Sequence, residues 1–340
     1  MPRHAAHHDG GAGALPGARL PPHGRGRIRP AGAALRARAR RRTRAGAVTG
    51  APADRIVRLA GGRVLGFRVW GDAAGFPLLF LHGTPGSRLK FALAHAAACD
   101  LRLALIAPDR WGYGLSGMPA APTLAAFADD MAALMDRLRH ARFAVGGISG
   151  GAPYAAAVAA GLPGRVTALG LVSPMGPVAE PACRAGLSRF QRLCFALLPR
   201  SPRTVSLLFR GFRAALERSP RLAAELATLR AGARDKALIA DPDIARCLLG
   251  SFREGLRPGT AGVAADLRLF CGDWGIPFAA IRAPTRVWIG TADTAVPVAG
   301  ARLLARAIPG ATITELPGEG HFWVAGRPAE VLAWIAASAR

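Results

Sequence analysis

The stretch Phe143-Ala144-Val145-Gly146-Gly147-Ile148-Ser149-Gly150-Gly151 decides how the rest of this 340-residue chain is read. Phe143 to Gly146 is a short apolar run of strand type, Gly147 to Gly151 fits G-x-S-x-G, and Ala152 to Ala160 suits a buried helix. A strand turning sharply into a helix lifts the serine above the sheet, and small residues on either side prevent clashes. The helix N-terminus beneath it brings free N–H groups and a positive dipole end, both suited to developing negative charge. Phe143 to Gly164 is also the longest uncharged run, but its six glycines and two prolines fit strand, turn and helix better than a membrane span.

Working outward, the same alternation continues on both sides. Ile56 to Leu59 and Val64 to Val69 flank Gly61-Gly62 and read as a hairpin. Apolar runs follow at Leu78 to Leu81, Leu103 to Ala107, Val166 to Val172, Val287 to Ile289 and Ala311 to Leu316. Between them, Thr123 is placed to cap a helix reaching about Leu138, with Leu124, Phe127, Met131, Leu134 and Leu138 on one face. Strands alternating with helices predict an α/β protein with a mostly parallel central sheet and helices on both faces. The alternation stops from Pro174 to about Pro277, where the pattern is helical and predicts an inserted subdomain over one sheet edge.

A serine hydroxyl is a weak nucleophile unless a base takes its proton. Outside the first fifty residues the histidines are His82, His95, His140 and His321. His321, in Gly318-Glu319-Gly320-His321-Phe322, falls past the last strand and before a final helix, Pro328 to Ala337, in a loop at the serine's end of the sheet. His140 ends a helix at the opposite side, His95 lies in a helical pattern, and His82 precedes a tight turn and reads as structural. The acid that orients the base is expected at Asp293, in Gly290-Thr291-Ala292-Asp293-Thr294 directly after a strand. Asp273 is the rival but precedes that strand, and Ser173-Pro174-Met175-Gly176 offers no earlier acid. An oxyanion hole needs two backbone donors. Gly150 N–H follows the serine directly, and Thr84 N–H, in His82-Gly83-Thr84-Pro85-Gly86, is the expected second, since Pro85 has none.

With these residues in view the chain resembles the α/β-hydrolase fold family over roughly residues 55–340. His82 to Gly86 looks like the family's oxyanion turn, and Asp109-Arg110-Trp111-Gly112-Tyr113-Gly114-Leu115-Ser116 like its D-R-x-G-x-G-x-S segment, where Asp109 and Arg110 are expected to be structural. Ser149, Asp293 and His321 match the triad positions in the family's order of nucleophile, acid and base. The resemblance implies a core of residues 51–174 and 277–340 and a helical cap at 175–276. It implies a serine hydrolase that needs no metal or cofactor and cleaves a carboxylic ester of a small or medium apolar acyl substrate through an acyl-enzyme. A serine at the elbow argues against epoxide hydrolase and haloalkane dehalogenase chemistry, which uses an aspartate there. The elbow also lacks the tryptophan familiar from proline iminopeptidases. An aminopeptidase or amidase, a C–C bond hydrolase and a non-catalytic ligand sensor remain the competing readings.

A net charge of +24 would ordinarily raise a nucleic-acid partner. Residues 1–50, however, hold eleven arginines and one acid, Asp9, and so carry +10 of it. That Arg-, Gly- and Pro-rich segment reads as a disordered tail, with translation starting further downstream, near Val48, as one account of it. No nucleic-acid reader motif follows, and no nucleic-acid partner is expected. Between Cys183 and Leu229, Arg184, Arg189, Arg192, Arg200, Arg203, Arg210, Arg213, Arg218 and Arg221 face only Glu217 and Glu225. They read as a solvated helix face or, with Phe190, Leu193, Phe195, Leu197, Leu207 and Phe209 between them, as a face toward the cleft or an anionic lipid surface. Five scattered cysteines without a CxxC pair imply reduced thiols and a cytoplasmic location.

Overall fold

The computed structural model describes residues 52–340, so the expectations for residues 1–50 lie outside the described residues. The remainder forms an eight-stranded sheet: β1 (Asp54–Arg58), β2 (Val64–Gly71), β3 (Phe76–Leu81), β4 (Leu103–Pro108), β5 (Phe143–Ile148), β6 (Val166–Val172), β7 (Thr285–Gly290) and β8 (Thr312–Leu316). The order across the sheet is β1-β2-β4-β3-β5-β6-β7-β8. β1 and β2 pair antiparallel as the predicted hairpin, and β2 is antiparallel to β4. Every pairing from β4 through β8 is parallel. All their carboxyl ends therefore lie along one edge, where loops can converge on a common site.

The parallel strands β3 to β7 are covered on both faces, so their sequences are largely continuous apolar runs, whereas the edge strand β8 is exposed or half-buried along its length. Along β3, Leu79 and Leu81 enter one core with Val145, Leu171 and Ile289. Leu78 and Phe80 enter the other with Ala144, Val172 and Trp288. Helices α1 (His95–Asp100) and α13 (Pro328–Ser338) supply Ala98, Val331, Leu332 and Ile335 to the second core. Helices α2 (Leu124–Arg137), α3 (Ala152–Gly161) and α11 (Val298–Ala307) cover the first. The Thr123 hydroxyl caps α2 by accepting the Ala126 N–H at 3.1 Å, and Leu124, Phe127, Met131 and Leu134 are buried beneath it.

Between β6 and β7 lie seven helices: α4 (Pro181–Ala185), α5 (Arg189–Leu197), α6 (Pro202–Arg218), α7 (Pro220–Ala227), α8 (Ala233–Ile239), α9 (Pro242–Gly255) and α10 (Ala261–Cys271). They bury a small core of their own around Val205, Leu216, Ala223, Phe252 and Val263, which Tyr113 joins from the loop after β4. A short helix, α12 (Trp323–Gly326), completes the set. No helix among the described residues is long and apolar enough to cross a membrane.

One buried charge holds the insertion, the loop after β4 and the first strand together. The Arg88 guanidinium, 3% exposed, meets Asp54 at 2.5 Å, Asp109 at 2.7 Å and Glu254 of α9 at 2.8 Å. The Asp109 carboxylate also accepts the Arg88 and Leu115 N–H groups, which accounts for its burial in the turn segment. Because removing one partner of a buried pair strands the other, Arg88→Met is expected to lower unfolding free energy by about 3–5 kcal/mol. Urea unfolding of the two proteins measures it, and a loss below about 1 kcal/mol would show the cluster to be no more than a surface-type pairing.

Candidate active site

At the carboxyl end of β5 the chain turns into α3 through Ser149-Gly150-Gly151, and Ser149 adopts φ +55°. That left-handed conformation is strained for a residue with a Cβ and points the hydroxyl away from the sheet. The glycines are there for space. A Cβ on Gly147 would lie 2.6 Å from Gly151 O and 2.8 Å from the Ala155 Cβ. One on Gly151 would lie 2.5 Å from the carbonyl oxygens of Leu81 and His82.

The loops after β7 and β8 carry the other two predicted residues to the same place. His321 Nε2 is 3.1 Å from Ser149 Oγ, and His321 Nδ1 is 2.7 Å from Asp293 Oδ2. With Nδ1–H donating to the carboxylate, Nε2 is left to accept from the serine hydroxyl, an assignment made from the hydrogen-bond network. The other oxygen of Asp293 accepts the N–H groups of Ala295 at 2.8 Å and Val296 at 2.9 Å, so the carboxylate cannot swing away. The rival Asp273 is exposed and accepts only the N–H of Gly275 in its own turn.

His321 is placed by a residue that local sequence gives no reason to single out. Asp235, fully buried on α8, accepts the His321 N–H and the Phe322 N–H, each at 2.8 Å. The carboxylate occupies the space a Cβ on Gly320 would need. The helical insertion thus grips the backbone of the histidine loop directly.

The turn after β3 lies against the serine: a Cβ on Gly83 would come within 3.1 Å of the Ser149 Cβ. His82, the histidine read as structural, is fully buried, and its Nε2 accepts the Arg110 N–H at 2.9 Å while Nδ1 donates to Gly83 O at 2.8 Å. Burial, reinforced by the neighbouring Arg110 charge, holds its pKa well below the ordinary histidine value and keeps it neutral. Arg110, also fully buried, donates to His82 O, Gly83 O and Thr84 Oγ1 and pairs with Asp266 of α10 at 2.6 Å. Tyr113 and Tyr154 hydroxyls and the Thr84 hydroxyl all donate to the same Asp266 carboxylate. The guanidinium lies 4.6 Å from the Tyr154 ring centroid. Sequence reading expected Arg110 to be structural but left its partner unnamed.

Ser149, Gly150, Thr84 and His321 open on a cavity of about 710 Å³. Its walls come from the core loops and from α5, α6, α7, α9 and α10, and they are overwhelmingly apolar, with Met175, Phe190, Phe209, Phe252, Leu267 and Phe270 prominent. None of the nine arginines between Cys183 and Leu229 lines it, and eight of them are exposed. The expectation that some face the cleft is therefore replaced by the solvated face, because the segment contributes apolar side chains such as Phe190, Phe195, Leu208 and Phe209 to the cavity wall.

This strand-ordered site and fold place the chain in a class. Residues 77–326 match the sequence model of the alpha/beta hydrolase fold, and the chain belongs to that family. Among individual proteins it is similar to a non-heme chloroperoxidase from Streptomyces lividans, 34% identical over 120 residues that cover 33% of this chain and 41% of that protein. The fold is shared with an alpha/beta hydrolase fold protein from Nakamurella multipartita (27% identity, TM-score 0.59, covering 84% of this chain and 100% of that one). It is shared also with a thermophilic esterase from Thermogutta terrifontis (22%, TM-score 0.58, 86% and 100%). Epoxide hydrolase A from Mycobacterium thermoresistibile has the same fold (22%, TM-score 0.63, 84% and 98%).

Asp235→Ala should loosen the histidine loop without touching Ser149, and a displacement of even 1 Å costs on the order of 10²-fold in reactions of this kind. Labelling of Ser149 by a fluorophosphonate is expected to slow by about 10- to 100-fold. An unchanged labelling rate would show that the loop holds itself in place.

Proposed function

We propose that the protein is a serine hydrolase that cleaves a carboxylic ester of a small or medium apolar acyl substrate through an acyl-enzyme. The observation that carries this reading is the continuous chain from Asp293 through His321 to Ser149, opening on one large apolar cavity. Ser149 Oγ attacks the ester carbonyl as His321 Nε2 takes its proton, and the same imidazolium then protonates the leaving alcohol. Asp293 fixes the tautomer and stabilises the imidazolium. The Thr84 and Gly150 N–H groups receive the oxyanion, Thr84 being locked by Arg110 and Asp266 in a position that needs no reorganisation during the reaction. Water resolves the acyl-enzyme with His321 as base. The helices of residues 175–276 serve as the cap that closes this cavity, and the reduced thiols read from the sequence support a cytoplasmic location.

Ser149→Ala is expected to lose at least about 10⁴-fold in kcat on p-nitrophenyl esters of two to eight carbons while its unfolding midpoint is retained. Turnover equal to that of the unaltered chain would remove the serine mechanism. Amide and C–C substrates run beside the esters separate the reading from an aminopeptidase, an amidase or a C–C hydrolase, and complete inertness of Ser149 toward a fluorophosphonate would favour a ligand sensor.

A contact with an anionic surface is part of the same reading. Of ten large apolar side chains exposed among the described residues, eight lie between Phe190 and Leu229, the segment that carries the exposed arginines. Phe190, Leu208 and Leu226 also line the cavity, so its mouth opens within this patch. Like charge opposes a second copy of the same face and favours an anionic lipid surface. The protein is expected to sediment with phosphatidylglycerol vesicles and not with phosphatidylcholine vesicles, the binding weakening as salt rises. Equal sedimentation with both would discard the contact.

A further inference from the structure

We propose that Lys90 forms an anion subsite in the active-site cavity, so that the ester this enzyme hydrolyses carries a carboxylate on the same molecule as the scissile carbonyl. The inference rests on the ester-hydrolase reading and adds the substrate's second recognised group. Lys90 follows the oxyanion turn in a 3-10 helix, Arg88–Ala94, and lines the large cavity together with Ser149 and His321. It also lines a smaller recess of about 40 Å³ bounded by His321, Phe322, Ile148 and Leu248. Apart from the histidine, it is the one ionisable nitrogen on a wall otherwise built of apolar and small residues.

The chain shows how it treats its fully buried cations. Arg88 meets three carboxylates, and Arg110 meets the doubly hydrogen-bonded Asp266. Among the described residues Lys90 has neither an ion pair nor a side-chain hydrogen bond. The Phe322 ring centroid lies 5.9 Å from its Nζ, at the outer limit of a cation–π interaction. Cys247 of α9 approaches its backbone, donating to Lys90 O at 3.3 Å. Lys90 is half-buried, and an ammonium set against an apolar wall without a partner is costly. Burial accordingly pulls its pKa down to about 8, which leaves it largely protonated at neutral pH and short of a counter-ion. A substrate carboxylate entering the cavity supplies that counter-ion.

The residue type points the same way. Only Lys90 and Lys236 are lysine among 45 basic residues, so a lysine here departs from the chain's strong use of arginine. A flexible ammonium acts as a point charge and can pair with a single carboxylate. A phosphate dianion would leave a second charge unpaired against apolar walls, which disfavours it.

The test compares p-nitrophenyl hexanoate with the mono-p-nitrophenyl esters of adipate and suberate, in which the acyl chain ends in a carboxylate. The ratio of kcat/KM for the best hemiester to that for hexanoate is expected to fall about tenfold or more in Lys90→Met, chiefly through KM. Lys90→Arg should restore most of it. The ratio is unaffected by any loss of folded protein, and an equal ratio in unaltered and Lys90→Met proteins overturns the proposal. If Ser149→Ala still hydrolyses the esters, the hydrolase reading fails separately. Calorimetry of adipate binding to Ser149→Ala then decides Lys90 by itself: loss of binding on adding Lys90→Met supports the subsite, and unchanged or absent binding overturns it.

Discussion

The buried pair between Arg110 and Asp266 is the constraint on which the rest of the site depends. The guanidinium donates to two carbonyls and the hydroxyl of the turn after β3, and thereby sets the backbone beside Ser149. Its partner carboxylate comes from α10, more than 150 residues further along, and collects the hydroxyls of Tyr113, Tyr154 and Thr84. A charge pair this dry is stable only because nearly every donor and acceptor around it is used. Replacing either member would leave an uncompensated charge inside the protein and release the turn after β3, the loop after β4 and the inserted helix together.

Two further carboxylates from the insertion repeat the arrangement at lower intensity. Glu254 of α9 completes the Arg88 cluster, and Asp235 of α8 holds the histidine loop by its backbone. The helices between β6 and β7 therefore do more than cover a cavity. They are fastened to the turn after β3, to the segment after β4 and to the loop bearing His321, so the arrangement of Ser149, Asp293 and His321 and the cavity walls belong to one mechanical unit. Lys90 stands apart from this pattern because no such carboxylate reaches it.

Much of the core was legible because its signals are local. A strand running into G-x-S-x-G defines the elbow by steric need, and the runs from Leu78 to Ile289 read as parallel strands because both faces are buried. The observed strands differ from the expected ones mainly at their ends, as with β5 continuing through Ile148 and β7 beginning at Thr285. Ser149, Asp293 and His321 could be named because each follows a strand, and parallel strands deliver all such loops to one edge. Asp266 left a faint trace as a lone acid in the apolar run of Ala261 to Cys271. Asp235, in Ala233-Arg234-Asp235-Lys236, looks like any solvated helix residue.

What the sequence determined by itself was the order of elements, the class of the sheet and the residues at the strand ends, since periodicity and turn chemistry act over a few neighbouring residues. Tertiary structure alone decided which carboxylate meets which cation, that the arginines of the insertion turn outward, and that one lysine lines the cavity without a partner. Those outcomes depend on how helices pack across tens of residues, and pairing and desolvation arise only when distant segments are brought within a few ångströms.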